Sequence, residues 1–368
     1  MVPEQGERRR LRSRLARYVR VTSCRVGAGD CGIAPKDGSG VVRLRVSGET
    51  GRAHVSGVKR CSSPWSCPTC SPKIRHRRAE ELTELVEAVQ AAGGCALLIT
   101  ATIAHRPDDS LTGLLDVLGG AWGRLWAGRA AVSMRERWGV VGQVRAVEVT
   151  AGGGGWHPHL HAIVVLERKV SDVELVELWA PLIGRWQHAV EAAGGRRPDS
   201  LVALDVRRVD DARQVSDYVT DAGSWSVGAE MTAGPIKLGR CGGRWSMFSL
   251  LGAAAVWGDA EAAGLWAEYE QATKGRRAIV RSRGLYERYG IGETDDEDAA
   301  EGDEADDVIA EVEVPIVEWV LLAEFDATDT YVEQVEAWAV AGAHGPPPEA
   351  RQLVLDVLAE RQRRRLAA

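Results

Sequence analysis

Three histidines at alternate positions, His157, His159 and His161 in the stretch GGGGWHPHLHAIVVLE, constrain this chain more than any other feature. The chain has only eight histidines. Residues two apart share a face in an extended strand, whereas a helix turns them away from one another. The segment His157 to Glu167 is therefore a strand with three imidazoles on one face and Leu160 and Ala162 on the other. Gly152 to Gly155 before it tolerate positive φ and fit a hairpin turn, which makes Gln143 to Thr150 the partner strand. A hairpin closed symmetrically about the glycines sets Thr150 opposite His157 and Glu148 opposite His159. Cross-strand Cβ atoms lie ~5 Å apart, close enough to share an ion. A register shift of two residues would keep the glutamate on that face; a shift of one would remove it.

A pair of surface histidines that bind nothing is the plain alternative, but it leaves the third histidine and the facing carboxylate unexplained. Two imidazoles and a carboxylate with open positions can hold zinc, manganese, magnesium or ferrous iron, and the last would make a 2-His-1-carboxylate oxygenase. The metal site alone does not name the reaction.

The rest of the pattern places this hairpin in a fold. CALLITATIAH, Cys95 to His105, reads as a buried strand, and Ser110 to Arg137 carries apolar residues at helical spacing. A second helical stretch, Ser171 to Ala193, stops at Gly194-Gly195. LVALDVRRV alternates as a strand, and a helix follows from about Asp210. The order β-α-β-β-α-β predicts an α+β, ferredoxin-like (RRM-like) antiparallel sheet. In that topology the histidine strand lies inside the sheet, beside the first strand. Tyr218 is the only tyrosine of the final helix, and a helix packed beside the metal face could offer its phenol as a nucleophile to a polarised phosphate.

Seven cysteines, odd in number and partly clustered, point to metal ligands rather than a disulfide framework. Cys67 and Cys70 form a C-x-x-C pair with Cys61 within reach. Tetrahedral zinc wants a fourth ligand, for which Cys31 is the first candidate and Cys24, His54 and His76 the alternatives. KIRHRRAEEL follows at once, and Arg75, Arg77 and Arg78 in it are candidate phosphate contacts.

The net charge of −6 hides a basic body, because the stretch 293–313 holds 12 acids and no base, leaving 40 acids against 46 bases elsewhere. The expected organisation is a basic N-terminal arm with a cysteine-rich zinc region (1–94), the ferredoxin-like domain (95–225), a basic extension (226–290), an acidic disordered linker (291–313) and a small C-terminal unit (314–368). No apolar run approaches the ~20 residues that cross a membrane. The charged start lacks the apolar core of a secretory signal, so a cytoplasmic location is the default.

With these residues in hand, the chain resembles the HUH endonuclease superfamily, in particular the rolling-circle plasmid replication initiators of actinobacterial type. ALLITATIAH is similar to that family's first motif, WHPHLHAIVV to its His-hydrophobic-His motif and DYVT to its tyrosine motif. CSSPWSCPTCSPKIRHRRAEEL and the stretch after the tyrosine, which holds Lys237 and Arg240 as further DNA contacts, extend the likeness to roughly Cys31–Gly292. The resemblance implies that His159 and His161, with Glu148 or His157 as third ligand, hold Mg²⁺ or Mn²⁺, and that Tyr218 nicks one DNA strand, forms a 5′-phosphotyrosine and frees a 3′-hydroxyl. It implies plasmid origin DNA, single-stranded or extruded as a hairpin, as the substrate and host polymerase and helicase as partners; an oligomeric state is left open, and no membrane partner is expected. A transposase or relaxase would share the site, although relaxases usually place the tyrosine ahead of the histidines. Two positions depart from the family pattern: Asp221 stands where a lysine is common, and Gln214 where some relatives have a water-activating glutamate. Both share the helical face of Tyr218, and the departure bears on termination, for which Asp221 is the candidate base.

Overall fold

The computed structural model describes every residue except 1–4, 37, 39, 213–243, 303–306, 344 and 368. The expected helix beyond Ala212 lies outside the described residues, and with it Gln214, Tyr218, Asp221, Lys237 and Arg240. In chain order the first elements are α1 (Gln5–Thr22), β1 (Val41–Ser47), β2 (Ala53–Ser56), α2 (Cys70–Ala91) and β3 (Cys95–Thr102). Next come α3 (Leu111–Leu125), α4 (Arg129–Trp138), β4 (Val140–Gly152), β5 (Gly155–Leu166), α5 (Asp172–Ala192) and β6 (Leu204–Val209). After residue 243 follow β7 (Arg244–Trp245), α6 (Met247–Gly252) with a π turn behind it, α7 (Ala260–Thr273), β8 (Ile279–Arg281) and α8 (Leu285–Tyr289). The last are α9 (Asp296–Glu301), β9 (Val308–Pro315), α10 (Ile316–Glu324), α11 (Thr328–Val340) and α12 (Pro348–Ala367). The chain divides into two units: residues 1–63, 67–74 and 295–368 form the first, and residues 64–66 and 75–294 the second.

The first unit overturns two expectations about the acidic stretch and the C-terminus. The segment 291–313, read above as a disordered linker, contains α9 and most of β9. β9 pairs antiparallel with β1, and β2 completes a three-stranded sheet of order β2-β1-β9. Two circumstances let an acidic run become a strand. Glu311 and Glu313 find Arg45 and Arg43 across the ladder at 2.7 and 2.9 Å, and the alternate residues Val312 and Val314 enter the core. That core joins Val42, Leu44 and Val46 of β1 to Trp319, Leu322, Tyr331, Val335 and Val354 from α10, α11 and α12. The 314–368 segment is thus part of the same unit as the N-terminal arm, not a separate one.

The second unit is built on an antiparallel sheet of order β6-β3-β5-β4-β7, with β8 also paired to β4. All the ladders between β6, β3, β5 and β4 are antiparallel, so the histidine strand β5 lies inside the sheet between β3 and β4, as the β-α-β-β-α-β order predicts. The fold class expected from the sequence, α+β with an antiparallel sheet, is what the chain adopts. Leu82, Leu85, Val86 and Val89 of α2 pack with Leu98, Val144, Ile163 and Val165 on one face. On the helical layer, α3 buries Leu111, Leu114, Leu118, Trp122 and Leu125, and α5 buries Leu178, Leu182, Trp186 and Val190. α5 begins with a full capping box, Ser171 accepting from the Glu174 amide and Glu174 answering the Ser171 amide, a device worth ~1 kcal/mol. The one long helix read over Ser110 to Arg137 is two, because Gly128 adopts φ +81 between α3 and α4.

Candidate metal centres

The hairpin register is the one symmetric closure predicts: Thr150 pairs with His157 and Glu148 with His159, and only Gly153 and Gly154 lie beyond the last paired residues. Along β5 the α2-facing residues Val165 and Ile163 give way to His161, His159 and His157, because all five share one side of the pleat. His159 Nε2 and His161 Nε2 both approach the same carboxylate oxygen of Glu148, at 2.8 and 3.2 Å. Burial opposes ionisation of Glu148, but the hydrogen bonds from His159 and His161 outweigh it and hold the carboxyl down to about 2. His161 is oriented from behind by Thr100 Oγ1, 3.1 Å from its Nδ1, an outer contact of the kind that aims the other ring nitrogen at a metal. The three donor atoms lie within 4.8 Å of one another. An octahedron with bonds of ~2.1 Å has edges of ~3.0 Å, so the observed 2.8 and 3.2 Å suit adjacent ligands of one small divalent ion.

His157 takes a different part from the one allowed it above. Its Nδ1 lies 2.8 Å from His105 Nε2, and His105 Nδ1 lies 3.1 Å from the carbonyl of Gly154. A carbonyl only accepts, so His105 donates from Nδ1, accepts at Nε2, and His157 donates to it. Burial first, then the neighbouring His159, Arg244 and His105, pull His157 down to about 4. It stands beside the Glu148, His159 and His161 donor group rather than in it. His105 did not emerge as a site residue from the sequence; its position at the end of the first-strand motif was the available signal.

Cys31, Cys61, Cys67 and Cys70 of the first unit converge, with all four sulfurs within 4.8 Å of one another. Cys67 lies in the turn that enters α2 and Cys70 is the first residue of that helix. The Cys70 amide donates to Cys67 Sγ at 3.3 Å. The Cys31–Cys67, Cys31–Cys70 and Cys61–Cys70 sulfur pairs stand 3.7, 3.5 and 3.9 Å apart. These are far from the ~2.05 Å of a disulfide and match the ~3.8 Å edge of a tetrahedron with Zn–S bonds of ~2.3 Å. The four-cysteine set thus fits one zinc, with Cys31 as the fourth ligand; Cys24 is exposed and outside the cluster. Hydrogen bonds from the other three cysteines hold the Cys31 thiol well below its ordinary range. Ile74, Ala299 and Ala300 close the apolar side, so α9 of the acidic stretch helps to bury the cluster.

The basic start of α2 departs from its expected role. Arg75 and Arg78 are each only 5% exposed. Arg75 donates to the Pro64 carbonyl, and Arg78 to both oxygens of Glu81 and to the Thr294 carbonyl. Glu81 is itself fully buried, so these guanidinia neutralise and satisfy internal groups and do not face a phosphate backbone. Arg77 is half-buried, bonded to Glu80 and Thr294.

Among the described residues no helix is long and apolar enough to cross a membrane. Residues 52–190 match the family model described as replication protein, a span that includes the whole histidine hairpin. A neomycin resistance protein from Streptomyces cyanogenus is 37% identical over 153 residues, 35% of either chain. No solved structure matches. A Protein rep from Streptomyces lividans is 34% identical over 325 residues, covering 71% of this chain and 70% of its own. By that extent of shared sequence the chain belongs to the Rep family of plasmid replication proteins, of the actinobacterial type.

Proposed function

We propose that this chain is a site-specific DNA nickase that starts rolling-circle replication of its plasmid, with Tyr218 as nucleophile and Mg²⁺ or Mn²⁺ held by Glu148, His159 and His161. The observation that carries the reading is the convergence of two imidazoles on one oxygen of a buried, ionised carboxylate inside the sheet. A divalent ion held there supplies Lewis acidity to a phosphate oxygen. Tyr218 Oη loses its proton as it forms the bond to phosphorus, the bond to the 3′-oxygen breaks, and that oxygen takes up a proton to become a 3′-hydroxyl. The 5′-phosphate stays on the tyrosine, so the phosphoester bond is conserved and no nucleotide energy source is consumed. The freed hydroxyl then primes the host polymerase, with a helicase opening the duplex ahead.

Three of the five other tyrosines are poorly placed to attack, while Tyr18 and Tyr289 are partly exposed, and it is the motif resemblance that selects Tyr218 over those two. Tyr269, Tyr286 and Tyr331 are buried; Tyr269 donates to the Trp65 carbonyl, and burial raises Tyr286 and Tyr331 above their ordinary values. The Cys31, Cys61, Cys67 and Cys70 set holds a structural zinc in this reading. Lys237 and Arg240, with the half-buried Arg77, contact origin DNA in this reading, and Asp221 takes the place of the glutamate absent at Gln214 in resolving the phosphotyrosine.

The test is incubation of the full chain with supercoiled plasmid carrying its own origin and Mg²⁺ or Mn²⁺. A covalent adduct mapped to Tyr218, and its loss in Tyr218→Phe, is expected. An adduct mapped to another residue, or nicking unchanged by Tyr218→Phe, overturns the assignment.

A further inference from the structure

On the side of the sheet away from the metal face lies a cavity of about 210 Å³, lined chiefly by Trp122, Trp126, Gln143, Arg145, Val280, Arg281 and Ser282. Its place follows from the pleat. Gln143 and Arg145 pair with Val164 and Ala162, and Glu148 with His159. Odd and even positions of β4 point to opposite sides of the sheet, so Arg145 faces away from the ion site. Trp122 and Trp126 stand one turn apart on and just past α3, rings edge to face at 5.8 Å. β8 closes the outer wall along β4.

The polar groups here are unusual for lacking partners. The indole nitrogens of Trp122 and Trp126 and Gln143 Oε1 are buried with no hydrogen-bond partner among the described residues. Native interiors satisfy the large majority of such groups, and each exception calls for a cause. Arg145 is half-buried, and burial alone displaces its pKa, downward. Arg281, also in the lining, is different, being held by Glu293 at 2.9 Å and stacked over Tyr286. The half-buried Arg145 guanidinium beside two indole rings describes a receptor for a flat ligand that accepts hydrogen bonds from an arginine. The three orphaned atoms have no surface open to the cavity, so they mark a loosely satisfied wall and would have to turn to reach a ligand. The volume is below the ~300 Å³ of the smallest drug-sized pockets, so the ligand is one ring system rather than a chain.

We infer that this cavity takes a single unpaired nucleobase, with guanine preferred. Indole and guanidinium surfaces hold bases by stacking and cation–π attraction. An arginine fork matches the adjacent O6 and N7 acceptors of guanine better than the edge of any other base. The amide of Gln143 can turn its oxygen to the N–H groups on the guanine's other edge. The sheet separates this cavity from the ion site, so a base seated in it is not the one flanking the scissile phosphate. It comes either from a more distant part of the same strand or from a free purine nucleotide. The inference rests on the reading that the chain handles single-stranded DNA, but not on tyrosine chemistry.

The test therefore uses full-length Tyr218→Phe protein, which cannot form an adduct. A short dye-labelled oligothymidylate, with and without one central guanosine, is titrated by fluorescence anisotropy, and dGMP is added as competitor. One guanosine is expected to tighten binding about tenfold, the lower end for a bidentate arginine–guanine pair. Arg145→Gln should erase that preference while leaving affinity for plain oligothymidylate nearly unchanged, and Trp126→Ala should weaken both oligonucleotides. Competition by dGMP that Arg145→Gln abolishes assigns the cavity to a free nucleotide; a guanosine preference without such competition assigns it to the strand. Arg145→Gln should keep the parental melting temperature and Mn²⁺ affinity, and Trp126→Ala, which loses packing on Trp122, should keep Mn²⁺ affinity while melting lower, which separates a lost receptor from a lost fold. Equal binding of the two oligonucleotides with no dGMP competition, or a guanosine preference that survives in Arg145→Gln, overturns the inference; if that variant does not fold, Arg145→Lys and Trp126→Phe carry the same comparison. Nicking by the parental protein is scored separately, so failure of the base site and failure of the nickase reading give different results.

Discussion

Replacing Gly155 with alanine should uncouple the histidine hairpin from the loop that follows β3. Gly155 has φ +86, and a Cβ built on it would sit 2.7 Å from Pro107 Cα, 2.9 Å from the Arg106 carbonyl oxygen and 3.0 Å from the Pro107 carbonyl oxygen. All three are backbone atoms, so the clash is not relieved by a side-chain rotation. The positive φ alone costs an alanine about 1–2 kcal/mol, and forcing an extra methyl into a close-packed contact adds about 1–3 kcal/mol. A loss of about 3 kcal/mol follows, equivalent to a fall of roughly 6–12 °C in the melting temperature of a unit this size. Gly153 is the internal control: a Cβ there meets nothing within 4 Å and its φ is ordinary, so Gly153→Ala should change stability by less than about 0.5 kcal/mol. Because the displaced loop also carries His105, the His105–His157 bond should weaken and Mn²⁺ affinity fall several-fold in Gly155→Ala alone. The assay is thermal unfolding of the second unit followed by circular dichroism, with Mn²⁺ binding read by calorimetry. Indistinguishable melting of Gly155→Ala and Gly153→Ala would refute the contact argument.

The purified chain should carry one zinc by elemental analysis, lost in Cys67→Ser or Cys70→Ser together with the fold of the first unit; a folded zinc-free variant would remove the structural role. Glu148→Gln should raise the Mn²⁺ concentration needed for nicking by tenfold or more, in the range of ~1.4 kcal/mol or above, whereas His157→Ala should raise it far less; equal effects would restore His157 as a ligand. In metal-free protein, Glu148 is held at about 2 against an ordinary 4.5. Its contribution to stability is therefore full above pH 4.5 and lost as pH falls toward 2, so acid titration of Glu148→Gln should show a shallower loss across that window than the parent. Asp221→Asn should leave first-strand cleavage intact while phosphotyrosine adducts persist; turnover of the adduct at the parental rate would instead favour a second copy of the chain supplying its own Tyr218.

The sequence disclosed the site where the chemistry is local. His159 lies eleven positions after Glu148, and a glycine turn closed symmetrically, with strict alternation on both strands, sets the two side chains opposite each other. His105 was invisible by the same logic, since its partner is 52 residues away and nothing periodic links them. The basic run at the start of α2 misled although its counter-charge, Glu81, stands three residues after Arg78 in the same run; what the fold supplies is the burial of that pair and the distant Thr294 carbonyl. The acidic stretch misled in reverse. Its net charge suggested disorder, while the alternation of Val308, Ala310, Val312 and Val314 with Ile309, Glu311 and Glu313 already had strand period, and the arginines that neutralise it stand on β1.

The β1–β9 ladder also sets an order of events during synthesis. Val42 meets Val314, a residue that leaves the ribosome roughly 270 residues later, which at ~5–20 residues per second is a delay of about 15–50 s. Throughout that interval β1 has β2 on one edge and nothing on the other, and the four cysteines lack the Ala299–Ala300 cover. The entire second unit can emerge and collapse meanwhile, since its residues form one continuous stretch apart from 64–66. A nascent chain of this kind exposes an unpaired strand edge and four unligated thiols for tens of seconds, so early occupation of the cysteine cluster by a metal ion would protect the unfinished first unit from oxidation and from pairing with its neighbours on the same message.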